Sequence, residues 1–370
     1  MKLILTLTLF STTAFCGLDY KPTYQQNKTA FLQLSEKNIF QSWPLKSDAN
    51  LTTDLTLLKN NSEQLLIISS GLHGIEGFVG SAIQREILQQ FNKQKNLKKD
   101  ILFIHALNPW GMAHRRRTNE DNIDLNRNFS SDRKLFLNKN NEYLQITDFL
   151  NPYDKVDLGF FSRISFFTDA IKLIIKYSIE TLRKSILLGQ YSVPKGLYYG
   201  GGEVSELQIH IDKLLDTDLA QYKKILWIDL HTGYGAKEKL HLLLDESASE
   251  SAKQTQKYFT NTQIDFGDQK NFYKSSGDLV NYLVSKSKTQ HEINAIVFEY
   301  GTMDSQKTLG SIESLRRMVL ENQGAHFGYQ NDASEAEVKN LFEDMFFPQS
   351  EQWKSSILIQ TQKLILPLVQ

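Results

Sequence analysis

A histidine and a glutamate three residues apart, His73 and Glu76, stand inside the glycine-bracketed stretch Gly71-Leu72-His73-Gly74-Ile75-Glu76-Gly77. An apolar run, Leu65 to Ser70, precedes this stretch, and Phe78, Ile83, Ile87 and Leu88 follow it at helical spacing. The pattern reads as strand, tight turn and helix. Glycines on both sides let the backbone bend so that both side chains point at one spot. Imidazole nitrogen and carboxylate oxygen are ligands for zinc, and a second histidine from elsewhere would complete a His₂Glu set with one open position. The pair alone is not distinctive, because His-x-x-Glu recurs by chance.

The remaining chemistry-bearing residues also fall at the ends of apolar runs. Ile101–Leu107 reads as a second buried strand, and it ends in the polar segment 108–129, which contains Arg115-Arg116-Arg117 and Asp124-Leu125-Asn126-Arg127-Asn128-Phe129. Such a segment is either a solvated basic loop or a pocket wall that holds an anion by guanidinium forks and amides. Ile225–Gly233 is a third strand and carries Asp229 and His231; Leu240–Asp245 is a fourth; Ala295–Gly301 is a further one, with Glu299 near its end. Strand, helix, strand within about fifty residues implies an α/β unit with parallel strands and a right-handed crossover. In open α/β sheets ligands bind outside the carboxyl ends of the strands. The shared position of His73, Glu76, the 108–129 loop, His231 and Glu299 therefore argues for one site. A carboxylate outside the ligand set is needed to take a proton from water, and Glu299 is placed for that.

The 370 residues are ample for a large core. Lysine plus arginine, 42, equal aspartate plus glutamate, 42, so net charge points to neither nucleic acid nor an anionic membrane. The single cysteine, Cys16, excludes an intrachain disulfide and a cysteine metal site. Lys2, the apolar run Leu3–Phe10 and Ala14-Phe15-Cys16-Gly17 form a secretory leader, expected to be removed after Cys16 or Gly17, with a lipid-attached cysteine as the competing reading. A mature chain without cysteine suits a bacterial periplasm or secretion. Residues 18–61 are polar and mixed and read as a segment that docks on a later core. Residues 130–200 read as a helical insertion, because Leu158–Leu188 is rich in Phe, Ile and Leu but interrupted by Arg163, Lys172, Lys176, Glu180, Arg183 and Lys184. Those charges forbid a membrane span. Gly196–Glu203 reads as a flexible turn, Ser205–Leu215 as helical, and the chain after Ser311 as helical.

Taken together, these residues resemble the zinc carboxypeptidase superfamily, which includes the aspartoacylase and succinylglutamate desuccinylase group. The similarity is nearest to a bacterial, uncharacterised metallopeptidase-like branch, and it runs from about residue 60 to Glu299. The resemblance implies a three-layer α/β/α fold with a central mixed, largely parallel sheet, as one domain over 18–370. It implies one zinc ion per chain on His73, Glu76 and His231, with Asp124 orienting His73. Asn126 and Arg127 are expected to bind a substrate carboxylate. Arg117, or Arg116 beside it, is expected to polarise the scissile carbonyl. Tyr273, in Tyr-x-x-Ser-Gly, is expected to close over substrate, and Glu299 to act as general base. Val280 falls where the family has a residue at the pocket floor. Two features depart from the pancreatic enzymes: the 130–200 insertion, and Thr232-Gly233 after His231 in place of Ser-Tyr.

The implied activity is zinc-dependent cleavage of an amide beside a free carboxylate, as a metallocarboxypeptidase acting on peptides. Two alternatives are an N-acyl amino acid deacylase of the aspartoacylase type and a catalytically silent carboxylate-binding protein. No Gly-x-Ser-x-Gly is present to support a serine hydrolase. Among the other histidines, His105 reads as a hydrogen-bonded core residue and His114 as a solvated loop residue. His210, His241, His291 and His326 lack ligand partners at useful spacing.

Overall fold

The computed structural model describes residues 17–94, 96–244, 249–267, 275–288 and 291–370. The leader, 1–16, and Tyr273 lie outside the described residues.

Eight strands form one sheet in the order β1-β2-β4-β3-β5-β8-β6-β7. They are β1 (Ile39–Pro44), β2 (Thr52–Leu58), β3 (Gln64–Ser70), β4 (Asp100–His105), β5 (Lys224–Thr232), β6 (Leu240–Leu244), β7 (Ile264–Phe266) and β8 (Glu292–Tyr300). The four central strands β4, β3, β5 and β8 are mutually parallel, and β1, β2 and β6 enter as antiparallel additions. The expected α/β class with a mixed, largely parallel sheet is what the chain forms. Parallel strands are covered on both faces, so they read as nearly unbroken apolar runs. Leu65–Ile68 and Ile101–Ile104 are such runs, and each of their residues is essentially inaccessible.

From β3 the chain crosses to β4 on one side and later returns to β5 on the other. The crossovers diverge there, which leaves a crevice at the carboxyl ends of β3 and β5. The helix Gly77–Asn92 leaves β3 over this crevice. Gln84 on that helix holds it to the sheet, donating to the carbonyls of Ile68 and Ile104 and accepting from Ser70 Oγ.

The segment 18–61 does more than dock. It supplies the helix Tyr24–Ser35 and the strands β1 and β2. β2 reads Thr-Thr-Asp-Leu-Thr-Leu-Leu and is buried along its whole length. Its polar side chains are tolerated there because each is paired: Thr53 Oγ1 with the Ala106 carbonyl, Thr56 Oγ1 with Ser35 Oγ, and Asp54 with Ser42 and Thr52. Residues 130–200 do form helices, chiefly Phe160–Tyr177 and Ile179–Leu187. The C-terminal helices are Thr308–Phe327, Asp332–Phe346 and Glu351–Ile365. Among the described residues no helix is long and apolar enough to cross a membrane.

Candidate metal centre and its cavity

The turn after β3 needs glycine at two points. Gly71 has φ +71°, and a Cβ on Gly74 would lie 2.1 Å from the Gly111 carbonyl carbon. That close approach lets the turn bond directly to the arginine loop: Gly74 N–H donates to the Arg117 carbonyl and Ile75 N–H to the Arg116 carbonyl. The turn then delivers His73 and Glu76, both buried, to the end of β3. His231 reaches the same place from the end of β5, and Glu299 lies beside it in register on β8.

The three donor groups converge. His73 Nδ1 lies 2.8 Å from Glu76 Oε1, His231 Nδ1 lies 3.0 Å from Glu76 Oε2, and the two Nδ1 atoms are 3.1 Å apart. Tetrahedral donors at zinc bond lengths are separated by about 3.3 Å, so a small expansion would seat the ion. The outward nitrogens are engaged by carboxylates: His231 Nε2 sits 2.6 Å from Asp229 Oδ2, and His73 Nε2 sits 3.2 Å from Asp124 Oδ1. A proton on each Nε2 leaves both Nδ1 lone pairs facing the common point, which is the tautomer a metal requires. Asp229 is itself fixed by Ser69 Oγ, which accepts from the Trp227 indole. Thr232 N–H donates to Glu76 Oε2. The residues present therefore fit a zinc ion in ligand type, burial and outer support.

Electrostatics agree. Burial raises Glu76, but the adjacent His73 and His231 rings outweigh it and hold the carboxyl well below the usual range. Burial would lower His231, but Asp229 and Glu76 outweigh it and push the ring well above its ordinary value. The cluster thus favours positive charge at its centre. Burial, and next the Glu76 charge, raise Glu299 to about 8 against the opposing pull of His231, the Tyr234 N–H and Arg117.

The structure separates the two arginines. Arg117 turns inward: its Nε donates to Asp124 Oδ2 at 3.0 Å, and its Nη1 lies 3.3 Å from Glu76 Oε1. Its Nη2 lies 2.7 Å from His73 Nε2, and it must release that nitrogen when the proton there is directed to Asp124. Arg116 turns outward to Glu321, Asn122 and Asn322 and does not line the cavity, so it leaves the expected substrate-binding set. Asn126 lines the cavity; its Oδ1 accepts from Leu279 N–H, so the amide nitrogen is the group left to offer. Arg127 also lines the cavity, but its fork is turned to the Leu187 carbonyl through Nε and Nη2, while Nη1 meets the Asn126 carbonyl. Val280 lines the cavity as expected.

Tyr198 was not legible as a site residue. It is buried in the glycine-rich turn, between the guanidinium groups of Arg117 and Arg127 at 5.3 and 5.7 Å from its ring. That turn is more than a flexible connection, because Asp124 N–H bonds to the Tyr199 carbonyl and Asn128 Nδ2 bonds to the Gly200 and Glu203 carbonyls. Thr232 Oγ1 is buried at the cavity wall with no hydrogen-bond partner among the described residues. His105 stacks on Phe31 and contacts Ser81 Oγ, His114 stacks on Trp110, and His241 pairs with Asp265.

Residues 20–360 match the family described as a protein of unknown function, DUF2817. No curated protein matches the chain. The solved structures similar to it include the following three. Bovine thrombin-activatable fibrinolysis inhibitor, in complex with tick carboxypeptidase inhibitor, is 12% identical, with 87% of this chain and 98% of that one covered at a TM-score of 0.47. Carboxypeptidase A from Helicoverpa armigera is 11% identical, with 87% and 73% covered at 0.46. Succinylglutamate desuccinylase from Chromobacterium violaceum is 14% identical, with 82% and 78% covered at 0.36.

Proposed function

We propose that this chain, which belongs to the DUF2817 family, is a zinc-dependent hydrolase that cleaves an amide beside a free carboxylate, as a metallocarboxypeptidase. One observation carries the reading: His73 Nδ1, His231 Nδ1 and the Glu76 carboxylate meet within 3.1 Å at the ends of β3 and β5. Zinc held there would supply a Lewis acid for the scissile carbonyl and would favour ionisation of water. The protein's own groups would do the rest. Glu299, tethered by the Tyr234 N–H at 2.8 Å, would take a proton from the attacking water and return it to the leaving nitrogen. Arg117, pivoting on Asp124, would offer N–H donors to the oxyanion. Asn126 Nδ2 and the unshared N–H groups of Arg127 would hold the substrate carboxylate.

The test compares a free and an amide-blocked substrate over a panel of peptides, muropeptides and acyl-amino acids, with products identified by mass spectrometry. Hydrogen bonds to a charged group contribute about 1.5–3 kcal/mol each, so blocking should lower kcat/KM on the order of 10–100-fold. Arg127→Ala and Asn126→Ala should each narrow that difference. Equal rates on free and blocked forms with the unaltered protein would make the Asn-Arg pair structural and remove the exopeptidase reading. Zinc-loaded protein that binds the panel but turns over none of it would favour a silent binding protein.

A further inference from the structure

The cavity at the metal centre, of about 220 Å³, does not stop at the polar groups. It continues between the inserted helices Phe160–Tyr177 and Ile179–Leu187 and the helix Thr308–Phe327, where Ile174, Leu182, Ile186, Leu315 and Met318 line it. Arg183 is the basic residue in this part, and its Nη2 is directed at the carbonyls of Ser305 and Gln306 and at Ser311 Oγ. The whole cavity would hold roughly seven waters, yet the branched aliphatic side chains of this part offer them few partners. An aliphatic group that displaces such water gains on entry.

From this, resting on the hydrolase reading above, we infer that the insertion forms a seat for an aliphatic chain carried on the substrate amide. The substrate is then an amphiphile, with its carboxylate at Asn126 and its chain between the helices. The reaction is ordinary hydrolysis: the C–N bond breaks, a C–O bond forms from water, and a proton passes to the departing nitrogen.

Two substrate series test the seat on zinc-loaded protein. One is N-acyl amino acids from acetyl to dodecanoyl, and the other is acetylated dipeptides whose terminal side chain grows from methyl to octyl. A fully buried methylene should raise kcat/KM about fourfold until the seat is filled. A gain in either series supports the seat and identifies the end of the amide that carries the chain. Ile174→Trp and Leu182→Trp, each filling the space, should lower the decanoyl-to-butanoyl ratio at least tenfold, with circular dichroism confirming the fold. Binding of decanoate, measured by calorimetry, reads the seat without catalysis. Turnover with no chain-length gain and no decanoate binding overturns the seat and leaves the hydrolase. Decanoate binding with no turnover of either series keeps the seat and overturns the hydrolase.

A different observation carries a second inference, about the outside of the same helix. Phe160, Ile164, Ile171 and Ile175 recur at i, i+4, i+11 and i+15, which is one stripe of a helix. The stripe faces solvent: Phe160 is 72% exposed, Ile175 is 81%, and the adjoining Phe161 is 84%. Arg163 and Lys172 flank it, and the helix Phe160–Tyr177 carries three basic side chains against one acidic, Asp169, which pairs with Lys172, in a chain of zero net charge. An exposed apolar stripe with cationic flanks suits the interface of an anionic bilayer, where the helix lies in the plane of the headgroups. We propose that this face docks on anionic lipid. Co-sedimentation with phosphatidylglycerol vesicles should exceed that with phosphatidylcholine vesicles and weaken as salt is raised. The double variant Phe161→Ser, Ile175→Ser should bind at least tenfold more weakly. Equal, salt-independent recovery with both vesicles, or dimerisation through this face that the variant abolishes, would overturn it.

Discussion

The His231→Ala protein is expected to lose stoichiometric zinc and, with it, hydrolysis. His231 supplies one of three donors, and it also separates two carboxylates, Glu76 at 3.0 Å and Asp229 at 2.6 Å. Removing a supporting partner of a metal ligand costs about 10–100-fold in affinity, and removing the ligand itself should cost more. The measurement is metal content after equilibration against a chelator, one ion per chain in the unaltered protein and well below that in the variant. The same change strips the buried carboxylates of their countercharge, and breaking a buried pair from one side costs about 3–5 kcal/mol. Urea unfolding must therefore accompany the metal assay, so that lost zinc is not mistaken for lost fold. His231→Asn, which keeps a polar group beside Asp229, is the milder control. A folded His231→Ala protein with full zinc and full activity would remove the triad from the mechanism.

The parallel core of the fold was legible because parallel strands must be apolar on both faces. β3, β4, β5 and β8 announce themselves as Leu65–Ile68, Ile101–Ile104, Ile225–Ile228 and Ala295–Phe298. β1 and β2 do not, because Thr52, Thr53, Asp54 and Thr56 are buried through hydrogen bonds that span up to 53 residues of sequence. No local pattern encodes such partners. The convergence of His73, Glu76 and His231 was legible for a similar reason: the carboxyl ends of parallel strands share one edge, where the His73 turn and His231 both fall. Direction within a loop was not. Arg116 and Arg117 are identical side chains one residue apart, and only the bonds from Gly74 and Ile75 to their carbonyls fix which one faces the cavity. Tyr198 escaped because a Tyr-Tyr pair in a glycine turn carries no spacing signal; its place depends on two arginines brought together by the fold. Arg127 does line the cavity, but the Leu187 carbonyl that holds its fork belongs to the insertion, which the rest of the motif does not foretell.

Replacing Glu299 by glutamine is the sharper experiment, since it alters chemistry while preserving shape. The carboxylate stands at the end of β8, beside His231 in register, with Oε1 accepting the Tyr234 N–H at 2.8 Å. Burial and the charge on Glu76 raise its pKa to about 8, a value at which a carboxyl group can both accept and return a proton near neutrality. A dication at the triad would oppose the Glu76 contribution and draw that value down, so the acid limb of kcat/KM in zinc-loaded protein should lie below pH ~8. Glutamine can keep the Tyr234 bond through its carbonyl oxygen but cannot accept a proton. Turnover should fall on the order of 10²–10⁴-fold from the lost acid–base contribution. Zinc content should stay at one per chain, because Glu299 is outside the ligand set. The acid limb should vanish from the residual rate. The variant also loses one buried ionisable group, so its stability should not fall as that of His231→Ala does. A metal-loaded Glu299→Gln protein with near-normal kcat and the acid limb intact would assign the proton transfer to another group.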